Sequence, residues 1–301
     1  MIPGLYENFE TNAYFCEILE EHPEYFYDNI KIGAVFGAFQ FCIWDGGRIF
    51  DHPSHATQEE IIFIKNFFNS RNIPIRFTFT NNLIQKEDCY DHFNNLILKI
   101  CENNLNEVIV NSPILEEYIR TNYPSYSFIS STTKCLTNLE EAKKELNNDN
   151  YKMVCLEYTL NHNKNFLESL TKEEKLKTEF LINAICPPNC VNRKEHYKLN
   201  SLFNLNYGKK YKMNYCGING NGLDPDDKLV NSTHLLADEI FNYYVPNGFY
   251  NFKIEGRTFN PLRHICSLVQ YMVKPKYQIY VISLFDSFLR DKGNKSFIYN
   301  K

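Results

Sequence analysis

The sequence predicts a closed (β/α)8 barrel of the TIM type, formed as one domain over residues 1–301. Three observations carry that expectation. Short runs of alternating or continuous apolar residues recur along the chain, and most are followed by a helical pattern, the order that specifies a parallel sheet covered by helices. The 301 residues hold the roughly 250 that such a barrel uses. A hydrophobic fraction of 44% against 23% charged residues is that of a globular protein with a sizeable core. An open doubly wound sheet is the alternative architecture with the same alternation.

The elements follow in order. IKIGAVFGAF (Ile30 to Phe39) is rich in β-branched and aromatic residues and reads as the first strand. Gln58 to Arg71 is helical, apolar at Ile61, Ile62, Ile64, Phe67 and Phe68. Pro74 to Thr80 is a strand with Ile75, Phe77 and Phe79 alternating; Lys86 to Asn104 is a helix and Asn106 to Ser112 a short buried strand. Pro113 opens the next helix at the position that favours proline. Tyr126 to Thr132 is a strand. Asn138 caps the helix that runs to Asn148, with Glu141 three residues on. Tyr151 to Tyr158 is a strand, NKNFLESLTKEEKL one helix or two short ones, and Lys177 to Ile185 a strand. Phe249 to Arg257 and Pro261 to Val273 are the closing strand and helix. The eighth strand is expected within Ser232 to Phe241, although that piece also suits a helix. Residues 204–231 carry glycines, charges and little periodicity, and read as a long functional loop.

Several function classes lose weight at once. The formal charge is −4 and no basic block recurs, which argues against nucleic-acid binding. The N-terminal residues lack the cationic and apolar regions of a secretory signal. No run approaches the roughly 18 apolar residues of a membrane span. A cytoplasmic protein is expected, with its ten cysteines mostly reduced.

In a parallel barrel the chemistry gathers at the C-terminal ends of the strands. There the sequence places Cys42, Trp44, Asp45 and Arg48, then Asn81, Asn111, Ser130 to Thr133 with Lys134, and Glu157, then Asn183 with the group Cys186, Cys190, Arg193 and His196, and finally Lys253, Glu255 and Arg257. In CPPNC, Pro187 and Pro188 keep the backbone out of a regular helix, so the thiols of Cys186 and Cys190 can face one cavity. With Cys216 beyond the irregular loop they form a candidate metal site, and thiolates select zinc or iron–sulfur centres. The plainer reading is ordinary reduced cysteines in a cysteine-rich chain. Cys42, at a strand end, is the best internal candidate for a fourth ligand. Arg193, His196, Lys253 and Arg257 would bind an anionic substrate or supply protons. Glu157 and Glu255 also invite a different reading, the carboxylate pair of a glycoside hydrolase.

EFLINAICPPNCVNRKEHY (Glu179 to Tyr197) and FKIEGR within the closing strand resemble the collagenase-like peptidase family U32. NEVIVNSPILEEYIRTNYPSYSFISSTT resembles that family's succession of strand, helix and strand. The resemblance spans roughly residues 30–275. It implies a barrel of this type and an oxygen-sensitive 4Fe–4S cluster, because members that hydroxylate ubiquinone precursors or RNA hold one through four cysteines. Cys186 and Cys190 match, and Cys216 matches as a later cysteine. Cys42 completes the set, or one iron stays open to substrate. The expected function is then an iron–sulfur enzyme, oxidoreductase or lyase-like, acting on a small molecule or peptide and drawing on an electron donor. No nucleic-acid substrate is implied, and no arrangement in the chain supports proteolysis. A barrel with structural zinc that only binds a ligand is the contrasting expectation.

Overall fold

The computed structural model describes residues 1–49, 55–207, 232–257 and 259–299. Eight parallel strands form one sheet in which neighbours in sequence are neighbours in space. They are β1 (Ile2–Pro3), β2 (Val35–Gly37), β3 (Ile75–Phe79), β4 (Glu107–Val110), β5 (Ser127–Ser130), β6 (Met153–Cys155), β7 (Thr178–Leu181) and β8 (Asn251–Lys253). Ile254 N–H donates to the Met1 carbonyl (3.1 Å) and Met1 N to the Phe252 carbonyl (2.6 Å). These bonds join the last strand to the first. The expected barrel is the observed one.

Helices α1 (Phe9–Glu21), α2 (Gln58–Ser70), α3 (His92–Cys101), α4 (Pro113–Asn122) and α5 (Leu139–Leu146) occupy the first five crossovers. The short α6 (Lys164–Glu168) and α7 (Lys172–Lys177) share the sixth. Between β7 and β8 lie α8 (Arg193–Leu205) and α9 (Ala237–Glu239), the latter running into a π-helical turn at Ile240–Tyr244. The chain ends in α10 (Pro261–Met272) and α11 (Gln278–Tyr299). Local chemistry fixes several helix starts. Thr57 and Glu60 form a reciprocal cap on α2, as Thr171 and Glu174 do on α7. Asn138 accepts from the backbone N–H groups of Glu140 and Glu141.

Strand alternation separates two buried layers. Ile75, Phe77 and Phe79 point outward and join Phe68, Ile97 and Leu98 in the core between barrel and helices. Each fully buried side chain of this size stabilises the fold by roughly 1.5–3 kcal/mol. Phe36, Ile109, Ile129 and Met153 form a separate cluster inside the barrel. That interior also carries charge. Arg76 on β3 pairs with Glu107 on β4 and Glu179 on β7, and Lys253 on β8 stands 3.9 Å from Glu179.

Helices α1 and α11 lie outside the expected elements, and two further elements differ from expectation. The eighth strand is Ile2–Pro3, not a segment of Ser232 to Phe241, where a turn leads into α9. A two-residue strand holds no alternation to detect; it is held from outside, by Asn12 Nδ2 donating to the carbonyls of Pro3 (2.9 Å) and Gly4 (3.0 Å). Helix α8 was not expected either, because its buried face is polar: Arg193, Asn200, Ser201 and Asn204 lie inward with Tyr197. Of the expected loop at 204–231, residues 208–231 lie outside the described residues, and Asn204 and Leu205 belong to α8. Among the described residues no helix is long and apolar enough to cross a membrane.

Candidate functional site

A cleft of about 70 Å³ opens at the C-terminal mouth of the barrel. Its floor is apolar, formed by Phe36, Ile109 and Leu181. Hydroxyls of Thr78, Thr80, Ser131, Thr132 and Thr133 surround it, and the charged groups are Asp45, Arg48, Lys253, Glu255 and Arg257. The β2–α2 loop delivers Asp45 and Arg48, and α8 holds that loop in place. Asn204 Nδ2 donates to the carbonyls of Asp45 (2.6 Å) and Arg48 (2.8 Å), and Asn200 Nδ2 to that of Gly47 (3.3 Å). Lys253, Glu255 and Arg257 follow one another at and just beyond the end of β8, two residues apart, and all three line the cleft. Gly256 between them has φ +134°, a conformation that favours glycine, and a Cβ there would collide with the Phe259 ring.

Asp45, Arg48, Glu255 and Arg257 are paired with one another. Arg257 Nη1 pairs with Asp45 Oδ2 (2.5 Å) and donates to Thr78 Oγ1 (2.6 Å). Its buried Nε makes no hydrogen bond among the described residues; Glu7 Oε1 is 3.9 Å away. Arg48 pairs with Glu255, which also accepts the Ile185 N–H (2.9 Å). Burial acts to raise the Glu255 pKa, but Arg48, the Ile185 N–H and Arg193 outweigh it and hold the carboxyl below its ordinary range. Lys253 Nζ lies 4.2 Å over the Phe36 ring.

Arg193 and Glu157 sit beside the cleft rather than in its lining. They form a buried pair that clamps α8 to the rim. Arg193 Nε donates to the Tyr197 hydroxyl (3.0 Å) and Nη2 to Thr132 Oγ1 (3.2 Å), and its guanidinium covers the Tyr158 ring at 4.2 Å. Burial raises the Glu157 pKa despite Arg193. The half-buried His196 is shifted down, by burial first and then by Arg48 and Arg193 against the pull of Glu255, so it is neutral near neutral pH. The carboxyls of Glu157 and Glu255 are thus pushed apart, but each is tied to an arginine.

The cysteines divide. Cys186 is half-buried at the mouth and packs against Cys155, Tyr158, Leu181 and Ala184. Burial and then Glu255 push its thiol up to about 12, against Arg193 and Arg48. Cys190 is also half-buried, and neither cysteine is in a disulfide. Cys42, 1% exposed, belongs to the core between barrel and helices. Cys216 lies outside the described residues. Among the described residues no three His, Cys, Asp or Glu side chains gather as a metal ion requires.

Reading the strand ends thus found Asp45, Arg48, Lys253, Glu255 and Arg257 in one cleft. It missed Asn200 and Asn204, whose amides place the loop; no motif marks them, and only a polar stripe at helical spacing could have done so. By sequence, the chain matches no family model and no curated protein. Among solved structures it is similar to the U32 peptidase Mk0906, with 13% identity and a TM-score of 0.48 over 76% of this chain and 88% of that one.

Proposed function

We propose that the protein is a barrel enzyme whose C-terminal mouth takes a small anionic molecule. The carboxylate or phosphate group would sit between Arg48 and Arg257, with Lys253 beneath it. The observation that carries this reading is Arg257 Nε, a buried donor that makes no hydrogen bond among the described residues in a cleft ringed by hydroxyls. A buried guanidinium donor without an acceptor is costly unless a ligand completes it. His196, neutral beside Arg48 and Glu255, is the group at the rim suited to accept a proton. Calorimetric titration with small carboxylates and inorganic phosphate tests the reading. Arg257→Gln should weaken binding about 10- to 100-fold, the worth of one or two charge-assisted hydrogen bonds. Equal affinity in wild type and variant would sink the proposal.

A second reading is favoured by the position of Cys186 and Cys190, two half-buried cysteines outside any disulfide in the loop that follows β7. With Cys216 they would hold a 4Fe–4S cluster, which supplies redox or Lewis-acid chemistry and calls for an electron donor as partner. The fit is partial: two thiols stand at the rim, whereas Cys42 is packed in the core. After anaerobic purification this reading expects a brown protein with iron and sulfide, and loss of both in Cys186→Ala. Colourless protein with stoichiometric zinc would support the structural-zinc alternative instead, and colourless protein that resists reconstitution would remove the cluster.

A further inference from the structure

We propose that Lys253 is a covalent nucleophile that forms an iminium with a small 2-oxo acid bound in the cleft. The inference rests on the anion-binding reading above and adds the reacting atom and the substrate class to it.

Lys253 is 6% exposed, yet it lines the cleft at the end of β8. Among the described residues its nearest anionic partner is Glu179 Oε1 at 3.9 Å, outside hydrogen-bonding range. That oxygen accepts no hydrogen bond among the described residues either. The other face of the amine meets the Phe36 ring at 4.2 Å. An ammonium carries three donors, and this position offers it a distant carboxylate and a π face. Both attract its charge, yet neither accepts a hydrogen bond from its donors at normal range. The position suits an iminium much better, because an iminium keeps the positive charge opposite Glu179 and Phe36 but has a single N–H to satisfy.

The step balances without an oxidant or reductant. Through one bridging water, because 3.9 Å is too long for a direct transfer, Glu179 takes one proton from the ammonium and frees its lone pair, which attacks the carbonyl carbon. The C–N bond forms as the C=O pair moves to oxygen. That oxygen collects two of the three ammonium protons, one of them returned through Glu179, and leaves as water. The third proton and the charge stay on nitrogen. Such lysine chemistry activates the carbon next to the carbonyl.

The surroundings select the carbonyl compound. Arg257 and Arg48 offer planar guanidinium groups that match a carboxylate. The small volume requires that carboxylate to stand close to the reacting carbon, and Phe36, Ile109 and Leu181 receive an alkyl end. A 2-oxo acid has this order of groups.

The test uses the full chain with pyruvate and sodium cyanoborohydride, which reduces an iminium to a stable amine, followed by peptide mapping. The expected result is one reduced adduct per chain, on Lys253, lost in Lys253→Arg and strongly reduced in Arg257→Gln. The labelled position is read on the wild-type chain, so the outcome does not depend on how a variant folds. Calorimetric binding of pyruvate without an adduct on Lys253, or with labelling spread evenly over surface lysines, overturns the covalent role and leaves the anion site standing. No binding of pyruvate, phosphate or other small carboxylates overturns both.

Discussion

Replacing Arg76 with alanine should destabilise the protein by about 3–5 kcal/mol, the cost of removing one partner from a buried ion pair. Arg76 is 2% exposed, donates through Nε to Glu107 Oε2 (2.6 Å) and pairs through Nη1 with Glu179. Without it, the remaining basic side chain paired with Glu179 is Lys253 at 3.9 Å, among the described residues, while Glu107 retains Lys152 at 2.5 Å. Burial works to raise the Glu179 pKa, and Arg76 and Lys253 overcome it to hold the group below its ordinary range. Its contribution is therefore present above the usual carboxylate pKa and lost as pH falls through the lowered one. Urea unfolding measures the loss. The triple variant Arg76→Met, Glu179→Gln and Lys253→Met should recover much of it, because it leaves neither the Glu179 carboxylate nor the Lys253 ammonium buried without its partner. An Arg76→Ala protein as stable as wild type would show that these charges do not hold the barrel interior.

The second large effect is acid sensitivity through His264. This residue is 0% exposed on α10, and Nε2 lies 2.8 Å from Asn12 Oδ1. The Asn12 amide nitrogen is committed to the carbonyls of Pro3 and Gly4, so Oδ1 accepts and His264 Nε2–H donates. Nδ1 then stands unprotonated, with no partner among the described residues. Burial lowers the pKa from 6.5 to about 4. Between those values the unfolded chain binds a proton that the folded chain refuses, so stability falls as pH falls from 6.5 towards 4. The full loss is about 3 kcal/mol. Urea midpoints of wild type and His264→Gln across this range should converge on acidification, since the variant lacks this titration. Parallel pH dependence in the two proteins would remove His264 as the cause.

The barrel was legible because β3, β4, β5 and β7 are long enough to show their burial pattern and are punctuated by capped helices. β1 was not, because two residues carry no period and their placement depends on Asn12, which lies on α1. The cleft was legible to the extent that its charges sit at strand ends: Lys253 and Arg257 could be picked from β8 alone. Which charges pair was hidden. Arg193 and Glu157 are 36 residues apart, and nothing local distinguishes a clamp from a catalytic couple. Helix α8 was invisible to hydrophobic periodicity since amides, not apolar side chains, seat it on the β2–α2 loop.

The charged interior has a consequence for how the chain folds. Arg76, Glu107, Glu179 and Lys253 come from four strands and must arrive at one level of the barrel to neutralise one another. Because side chains alternate along a strand, a one-residue misalignment of any of these strands would turn its charge into the greasy layer beneath the helices. Misaligned closures are thereby penalised at several points at once. The ions act as a proofreading device for assembly, favouring one closure of the cylinder over its near neighbours.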